Sequence, residues 1–268
     1  MDLELAHKSL LNVLVYFDSF CKEHGVIYYL DSGTLLGAVR HKGFIPWDDD
    51  VDVTMTRENY MKFREAAKDM QPPFKLIEPD NYGGYFYDFT PRVIDLNSPM
   101  RKETEEDVRQ NNHQNRICVD VFIIDDSPAT EKKFKKLIFK HKVVYGMAMA
   151  HRFNKKKHAH NFKDRLRIAV LGFFGRMRKL QSLLKAQDEL ARKYDSTQTE
   201  YYYISNTLMT DIDKMYKKEW IKDVVYLPFE GYMMPCPSGY DDILTMLYGD
   251  YMTPPPETER ISIHVDGE

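Results

Sequence analysis

The sequence predicts an α+β fold, a mixed sheet core flanked by helices and carrying a basic helical insertion. Three observations predict it. The first is the order of segments: a short apolar strand, a turn of small residues, a helix, a strand bearing Asp-x-Asp, and later an apolar strand with a single acid, Asp120. The second is the run D-D-D-V-D at 48–52, continued by Val53 and Met55. Its apolar residues alternate with acids as in a half-buried strand, which a solvated acidic turn does not require. The third is charge. Residues 132–193 hold 19 Lys/Arg against three acids, a net of +16, whereas the remainder holds 19 bases and 38 acids, a net of −19. Two working surfaces of opposite sign follow. The expected organisation is a core over 1–128, the basic insertion over 129–195, and a segment over 196–268 that completes the core.

With 268 residues, 43% of them hydrophobic, the chain has material for one large domain. Cys21, Cys118 and Cys236 lie far apart. They fit neither a disulfide framework nor zinc-ligand spacing, and point to a reducing compartment. The opening M-D-L-E-L-A-H-K is acidic and amphipathic, unlike a signal peptide. No apolar run approaches the roughly 20 residues of a membrane span; the longest is 168–174.

The elements read in order as follows. Leu3, Ala6, Leu10, Val13, Leu14, Phe17, Phe20 and Cys21 recur at helical spacing, so 3–24 is an amphipathic helix, stopped by Gly25. Residues 26–30 form a short strand, 31–34 a turn, and 34–41 a short helix. A loop at 43–47 leads to the acidic strand at 50–55, and 57–70 is helical. Segments 74–77, 85–89 and 92–96 read as an antiparallel meander, and 97–115, rich in polar residues, as a mobile loop. Residues 117–124 are a strong strand, and 131–152 and 163–194 are the basic helices. A hairpin at 224–235 turns at Glu230-Gly231, and 240–248 is the last helix before a Pro-rich tail.

Successive strand side chains face opposite sides, so Asp50 and Asp52 share one face and Val51 and Val53 the other. Two carboxylates above an apolar underside suit a magnesium ion bridging phosphates. The Gly33-Thr34 turn leads into a helix N-terminus, which offers N–H groups and a positive dipole end to phosphate. Asp120, between Val119 and Val121, is costly to bury alone. It reads as a third metal ligand, as the base for an attacking hydroxyl, or as half of a salt bridge with an arginine. This order of elements is that of the nucleotidyltransferase-type fold.

L-D-S-G-T-L-L-G-A-V-R-H-K-G-F-I-P-W-D-D-D-V-D-V-T-M (30–55) resembles the signature of the LicD family, which includes bacterial phosphorylcholine transferases and the fukutin-related proteins. The resemblance continues in V-D-V-F-I-I-D (119–125) and P-S-G-Y-D-D-I-L-T-M-L-Y-G-D-Y-M-T-P-P (237–255), leaving the basic middle uncovered. It implies transfer of a phospho-substituent from a CDP-activated donor to a sugar hydroxyl, with a divalent metal, magnesium or manganese. The implied donor is CDP-choline; ethanolamine, glycerol and ribitol stay open as its alcohol. The implied acceptor is a lipid-linked glycan precursor of teichoic acid, lipopolysaccharide or capsule.

Carried over by position, the resemblance makes Asp50, Asp52 and Asp120 catalytic and places the metal on them with Asp48. Gly33 and Thr34 match the phosphate turn, and Arg40, His41 and Lys42 the basic end of the motif. Lys42 is the better phosphate candidate, a helix C-terminus being the ordinary reading of all three. Asp49 is an outer or solvated acid. Arg92 either stabilises phosphate charge or is an ordinary strand-surface arginine. Trp47, Tyr82, Tyr85, Tyr87 and the cluster at 201–203 offer aromatic faces to a trimethylammonium group, although packing is the commoner role of such residues. Asp241 caps the last helix, and Arg260 and His264 match the tail.

The basic middle, with K-K-K-H-A-H at 155–160, is expected to meet anionic lipid. That places the protein in the cytoplasm, peripherally bound to the inner face of the membrane. Nucleic acid is not expected, because the remainder is acidic. Two other readings stand beside the transferase: a nucleotidyltransferase that moves an NMP group and releases pyrophosphate, and a non-catalytic membrane adaptor. The intact set of Asp50, Asp52 and Asp120 argues against the adaptor.

Overall fold

The computed structural model describes residues 2–81, 84–152, 162–195 and 197–262. Helix α1 (Leu3–Glu23) begins where the Asp2 carboxylate accepts the Leu5 N–H. Such a cap satisfies one of the orphan donors of the first turn. Gly25, at φ +59°, ends it in the left-handed conformation that glycine adopts at no steric cost. There follow β1 (Tyr29–Leu30), α2 (Ser32–Arg40), β2 (Asp52–Thr56), α3 (Arg57–Ala66), β3 (Phe74–Ile77), β4 (Arg92–Pro99), α4 (Glu105–Gln110) and β5 (Arg116–Asp126).

The sheet runs β1-β2-β5-β4-β3, with β6 (Tyr201–Ile204) paired to the C-terminal end of β5 and β7 (Tyr216–Lys217) beyond it. It is mixed: β2 and β5 are parallel, and the other pairings are antiparallel. Strand alternation sorts the two faces. Val53, Met55, Val93, Val119 and Val121 point to one side and form the core with Leu10, Val13, Leu14 and Phe17 of α1. Asp52, Arg92 and Asp120 occupy the opposite parity and therefore the other face.

Among its described residues, the stretch expected as an insertion holds three α-helices, α5 (Glu131–Ala148), α6 (Phe162–Arg176) and α7 (Leu180–Ala191). Two polar connections tie it to the sheet. Arg57 at the start of α3 pairs with the fully buried Asp125 of β5 at 2.7 Å and with Asp188 of α7 at 3.1 Å. His141 of α5, fully buried, is within hydrogen-bond distance of Gln187 and of the Tyr203 hydroxyl, both at 2.9 Å. Every partner in that chain is satisfied, as a buried polar network must be to avoid a desolvation cost.

The C-terminal segment folds back onto the first. The hairpin β8 (Val224–Phe229) and β9 (Tyr232–Pro237) turns at Glu230 and Gly231, both at positive φ, and α8 (Tyr240–Tyr248) follows. Phe229, Met234, Cys236, Ile243 and Leu244 enter the same core as α1. The three cysteines are free. Among the described residues no helix is long and apolar enough to cross a membrane.

The expected elements needed four corrections. Residues 85–89 are irregular, not a strand, and β3 pairs directly with β4. Their apolar alternation serves packing instead: Phe86 and Phe89 join a cluster with α5 and α7, and Tyr85 joins Ile77 and Ile94. The polar stretch 97–115 contains the end of β4 and the helix α4, which Thr104 and Asp107 start with a reciprocal capping box. The strand expected at 26–30 is confined to β1. The long basic helix is two helices, α6 and α7. The segment 155–160, Tyr82 and His264 lie outside the described residues.

Candidate active site

The register of three strands builds the site. Asp52 on β2 lies directly opposite Asp120 on β5, and Asp120 lies opposite Arg92 on β4. One row across the sheet therefore reads carboxylate, carboxylate, guanidinium. Arg92 is 8% exposed, and its Nε donates to Asp120 Oδ1 at 2.9 Å while an Nη donates to Asp88 at 2.7 Å. Of the readings open for Asp120, the salt bridge is thus present in the structure. Its carboxyl is nevertheless raised above the usual range, first by burial, with Arg92 pulling the other way and Asp88 adding repulsion.

The remaining acids gather around Asp52. Asp50 precedes β2, outside the strand, and its side chain is hydrogen-bonded to Asp48. Asp48 is pushed up to about 8 by burial and then by Asp50. Asp52 is pushed far above its ordinary value by burial, then by Asp50, Asp120, Asp31 and Asp48. Asp31 is the acid that sequence reasoning missed as a site residue. It occupies the N-cap position of α2 without a side-chain cap bond, is buried and is pushed up to about 6; its Oδ2 has no hydrogen-bond partner. The signal was an acid wedged between an apolar strand and a helix start, L-D-S-G.

The turn before α2 is shaped by the acids. A Cβ on Gly33 would stand 2.5 Å from Asp48 Oδ2, so only glycine lets that carboxylate lie against the backbone. Ser32 beside it sits at φ +49°, a conformation that costs a non-glycine residue energy and concentrates at functional sites. Thr34 Oγ1 accepts the Asp52 N–H at 2.9 Å, which locks the start of β2 to the start of α2. Asp49 is buried rather than solvated, and accepts the Ser262 hydroxyl at 2.5 Å.

The other expected residues are held by the chain itself. Arg40 donates to the Tyr251 carbonyl at 2.7 Å. Lys42 is exposed and at φ +61°, the left-handed residue after the α2 cap. Trp47 carries the Arg260 guanidinium over its ring at 5.0 Å. Tyr87 carries Arg92 and Arg152 at 5.3 and 5.0 Å, and Tyr85 is buried in its apolar cluster. Asp241 accepts the Tyr251 hydroxyl at 2.5 Å, and Gly239 occupies the cap of α8. On α8 the Tyr248 hydroxyl is raised by burial and then by the field of Asp31, Asp52, Asp48 and Asp50, while the residue as a whole keeps 46% of its exposure. Among the described residues no three His, Cys, Asp or Glu side chains stand in ready metal-binding positions. The donors gathered here are carboxylate oxygens, the kind that hard divalent cations take.

An acidic row on one face of a mixed sheet, beside a glycine turn that opens a helix, defines an α+β domain with a carboxylate-lined site. The family model for LicD/FKTN/FKRP, nucleotidyltransferase domain, matches residues 25–165, and the chain belongs to that family. It is 31% identical to the lipopolysaccharide cholinephosphotransferase LicD of Haemophilus influenzae over 264 residues, covering 95% of this chain and 93% of that protein. A shorter stretch of 55 residues is 43% identical to an uncharacterized protein of Rickettsia typhi, covering 20% of this chain and 16% of the relative. Another of 43 residues is 44% identical to an uncharacterized protein of Rickettsia prowazekii, covering 16% of each chain.

Proposed function

We propose that this chain transfers a phospho-alcohol, phosphorylcholine first, from a CDP-activated donor to a sugar hydroxyl of a cell-surface glycan precursor, releasing CMP. The acceptor class is lipopolysaccharide or teichoic acid. The relative that spans nearly the whole chain is named for cholinephosphate transfer on lipopolysaccharide. The observation that carries the reading is the Asp52–Asp120–Arg92 row, with Asp48, Asp50 and Asp31 packed beside it.

The residues fit a divalent cation in donor chemistry and in charge. Asp52 is surrounded by carboxylates that raise one another, and Asp31 Oδ2 is buried without a partner. Asp48, Asp50, Asp52 and Asp120 would hold magnesium or manganese. When bound, such an ion neutralises phosphate oxygens and the leaving nucleotide. The chain supplies the rest. Backbone N–H groups at the start of α2 offer partial positive charge to the diphosphate. Arg92 holds both oxygens of Asp120, at 2.9 and 3.2 Å, and fixes the plane of the carboxylate. Two Arg92 donors and the Cys118 thiol take three of the about four lone-pair sites of an ionised carboxylate, so the one left on Asp120 serves either the metal or the proton of the attacking sugar hydroxyl. Burial makes it a stronger base than a surface aspartate.

The test is to incubate the purified protein with magnesium, a glycan acceptor and in turn CDP-choline, CDP-ethanolamine, CDP-glycerol and CDP-ribitol, following CMP by chromatography. CMP from one donor identifies its alcohol. Pyrophosphate from a nucleoside triphosphate, with no CMP from any donor, would replace this reading with NMP transfer.

A further inference from the structure

Helix α6 is built inside out. An ordinary surface helix buries its apolar stripe and shows charge to water. Here Phe162, Leu166, Val170, Phe173, Phe174 and Met177 are between 45 and 78% exposed. Their spacing places them on one continuous face, with Met177 extending it one residue past the helix end. The opposite side packs over the last turns of the helix, and Ile168, earlier on that side, is 39% exposed. Leu171 lies against Gly146 of α5, and Gly175, the one buried residue of α6, lies against the backbone of Met147.

The bases complete the pattern. At 3.6 residues per turn, Arg165 and Arg176 flank the apolar stripe on one side and Arg167 on the other, with Lys163 within it. An apolar face edged by arginines matches an interface of hydrocarbon below and anionic headgroups above, because the long side chains lay their stems on the apolar surface and lift their charge to the headgroups. A nucleic acid would leave the aromatic stripe in water, and a solvated helix has no use for it. The helix has 15 residues, about 22 Å at 1.5 Å each, too short to span a bilayer.

We propose that α6 lies flat in the surface of an anionic lipid bilayer and docks the protein there. The rest of the chain outside the basic stretch carries a net charge of −19 and is repelled by that surface, so the electrostatics fix the orientation as well as the contact. This goes beyond the transfer reaction and does not depend on it.

Sedimentation with vesicles tests it without donor or metal. The full chain is spun with vesicles of phosphatidylcholine alone and of phosphatidylcholine with phosphatidylglycerol. The expected result is binding to the anionic vesicles, weakened by salt. Phe173→Ser with Phe174→Ser is expected to reduce partitioning about tenfold or more, since each phenyl ring contributes apolar burial of that order. Arg165→Gln with Arg176→Gln is expected to reduce the preference for anionic lipid. All four positions are exposed, so folding is kept, and a far-UV spectrum checks it. Wild-type protein left in the supernatant, or serine variants that bind as the wild type does, would overturn the proposal. So would a wild-type dimer that the serine variants convert to monomer, because a second copy would then cover the face.

Discussion

Replacing Arg92 by Gln tests the electrostatics on which the site rests. Arg92 is 8% exposed, and it bridges Asp120 at 2.9 Å and Asp88 at 2.7 Å. Glutamine removes the charge and leaves the Asp120 and Asp88 carboxylates without their cation. Breaking a buried pair by removing one partner costs about 3–5 kcal/mol. Both aspartate side chains keep about a fifth of their exposure, 23% and 21%, so water screens part of that and the lower end, about 3 kcal/mol, is expected. Urea unfolding at neutral pH should show it as a midpoint lowered by about 1 M. Asp120→Asn removes one of the stranded charges, so the double variant should recover more than about 1 kcal/mol of coupling. Lysine at 92 should recover less than wild type, because an ammonium cannot span both partners with fixed geometry. A stability for Arg92→Gln within about 0.5 kcal/mol of wild type, or additivity of the pair within that margin, would refute the reasoning.

Three other outcomes are expected. Gly33→Ala brings a Cβ to within 2.5 Å of Asp48 Oδ2 and must displace that carboxylate, so kcat/KM for the nucleotide donor should fall about a hundredfold with the far-UV spectrum unchanged. In chelator, stability should fall as pH climbs from about 4 to about 8. Asp48 and Asp31, pushed up to about 8 and about 6, bind protons in the folded state that the unfolded chain has already released, so the acidic side of this window favours the fold. Magnesium should restore the loss at the basic end, and melting temperatures that rise across the window would contradict it. Tyr203→Phe leaves a nitrogen of the buried His141 without a partner and should cost about 1–3 kcal/mol in urea midpoints, without changing activity per folded molecule.

Much of the fold was legible because its periods are clean. The apolar stripe of α1, the strand read at 117–124 within β5, the Glu230-Gly231 turn and α8 follow from spacing and turn residues. Residues 85–89 mislead because their rings pack under α5 and α7 from an irregular segment, and alternation cannot tell that from a strand. α4 was masked by polar composition, although Thr104 and Asp107 carried a capping signal. Within the site, the acids of 48–52 and Asp120 were readable, but their alignment was not. The parallel register that sets Asp52 beside Asp120, and the antiparallel one that adds Arg92, are long-range facts. So is the contribution of the tail, Ser262 holding Asp49. Trp47 reads as an open aromatic wall in sequence, and in the fold Arg260 covers it.

The measurement that bears most directly on the central claim is transfer itself. Purified protein is given magnesium, CDP-choline labelled on the choline and a lipopolysaccharide acceptor, and the label on the glycan is counted for the wild type and for Asp52→Asn. The account predicts label on the glycan with the wild type, none in chelator, and none with Asp52→Asn, whose carboxylate is raised by Asp50, Asp120, Asp31 and Asp48 together. Equal labelling by Asp52→Asn, or labelling that chelator leaves untouched, would contradict it.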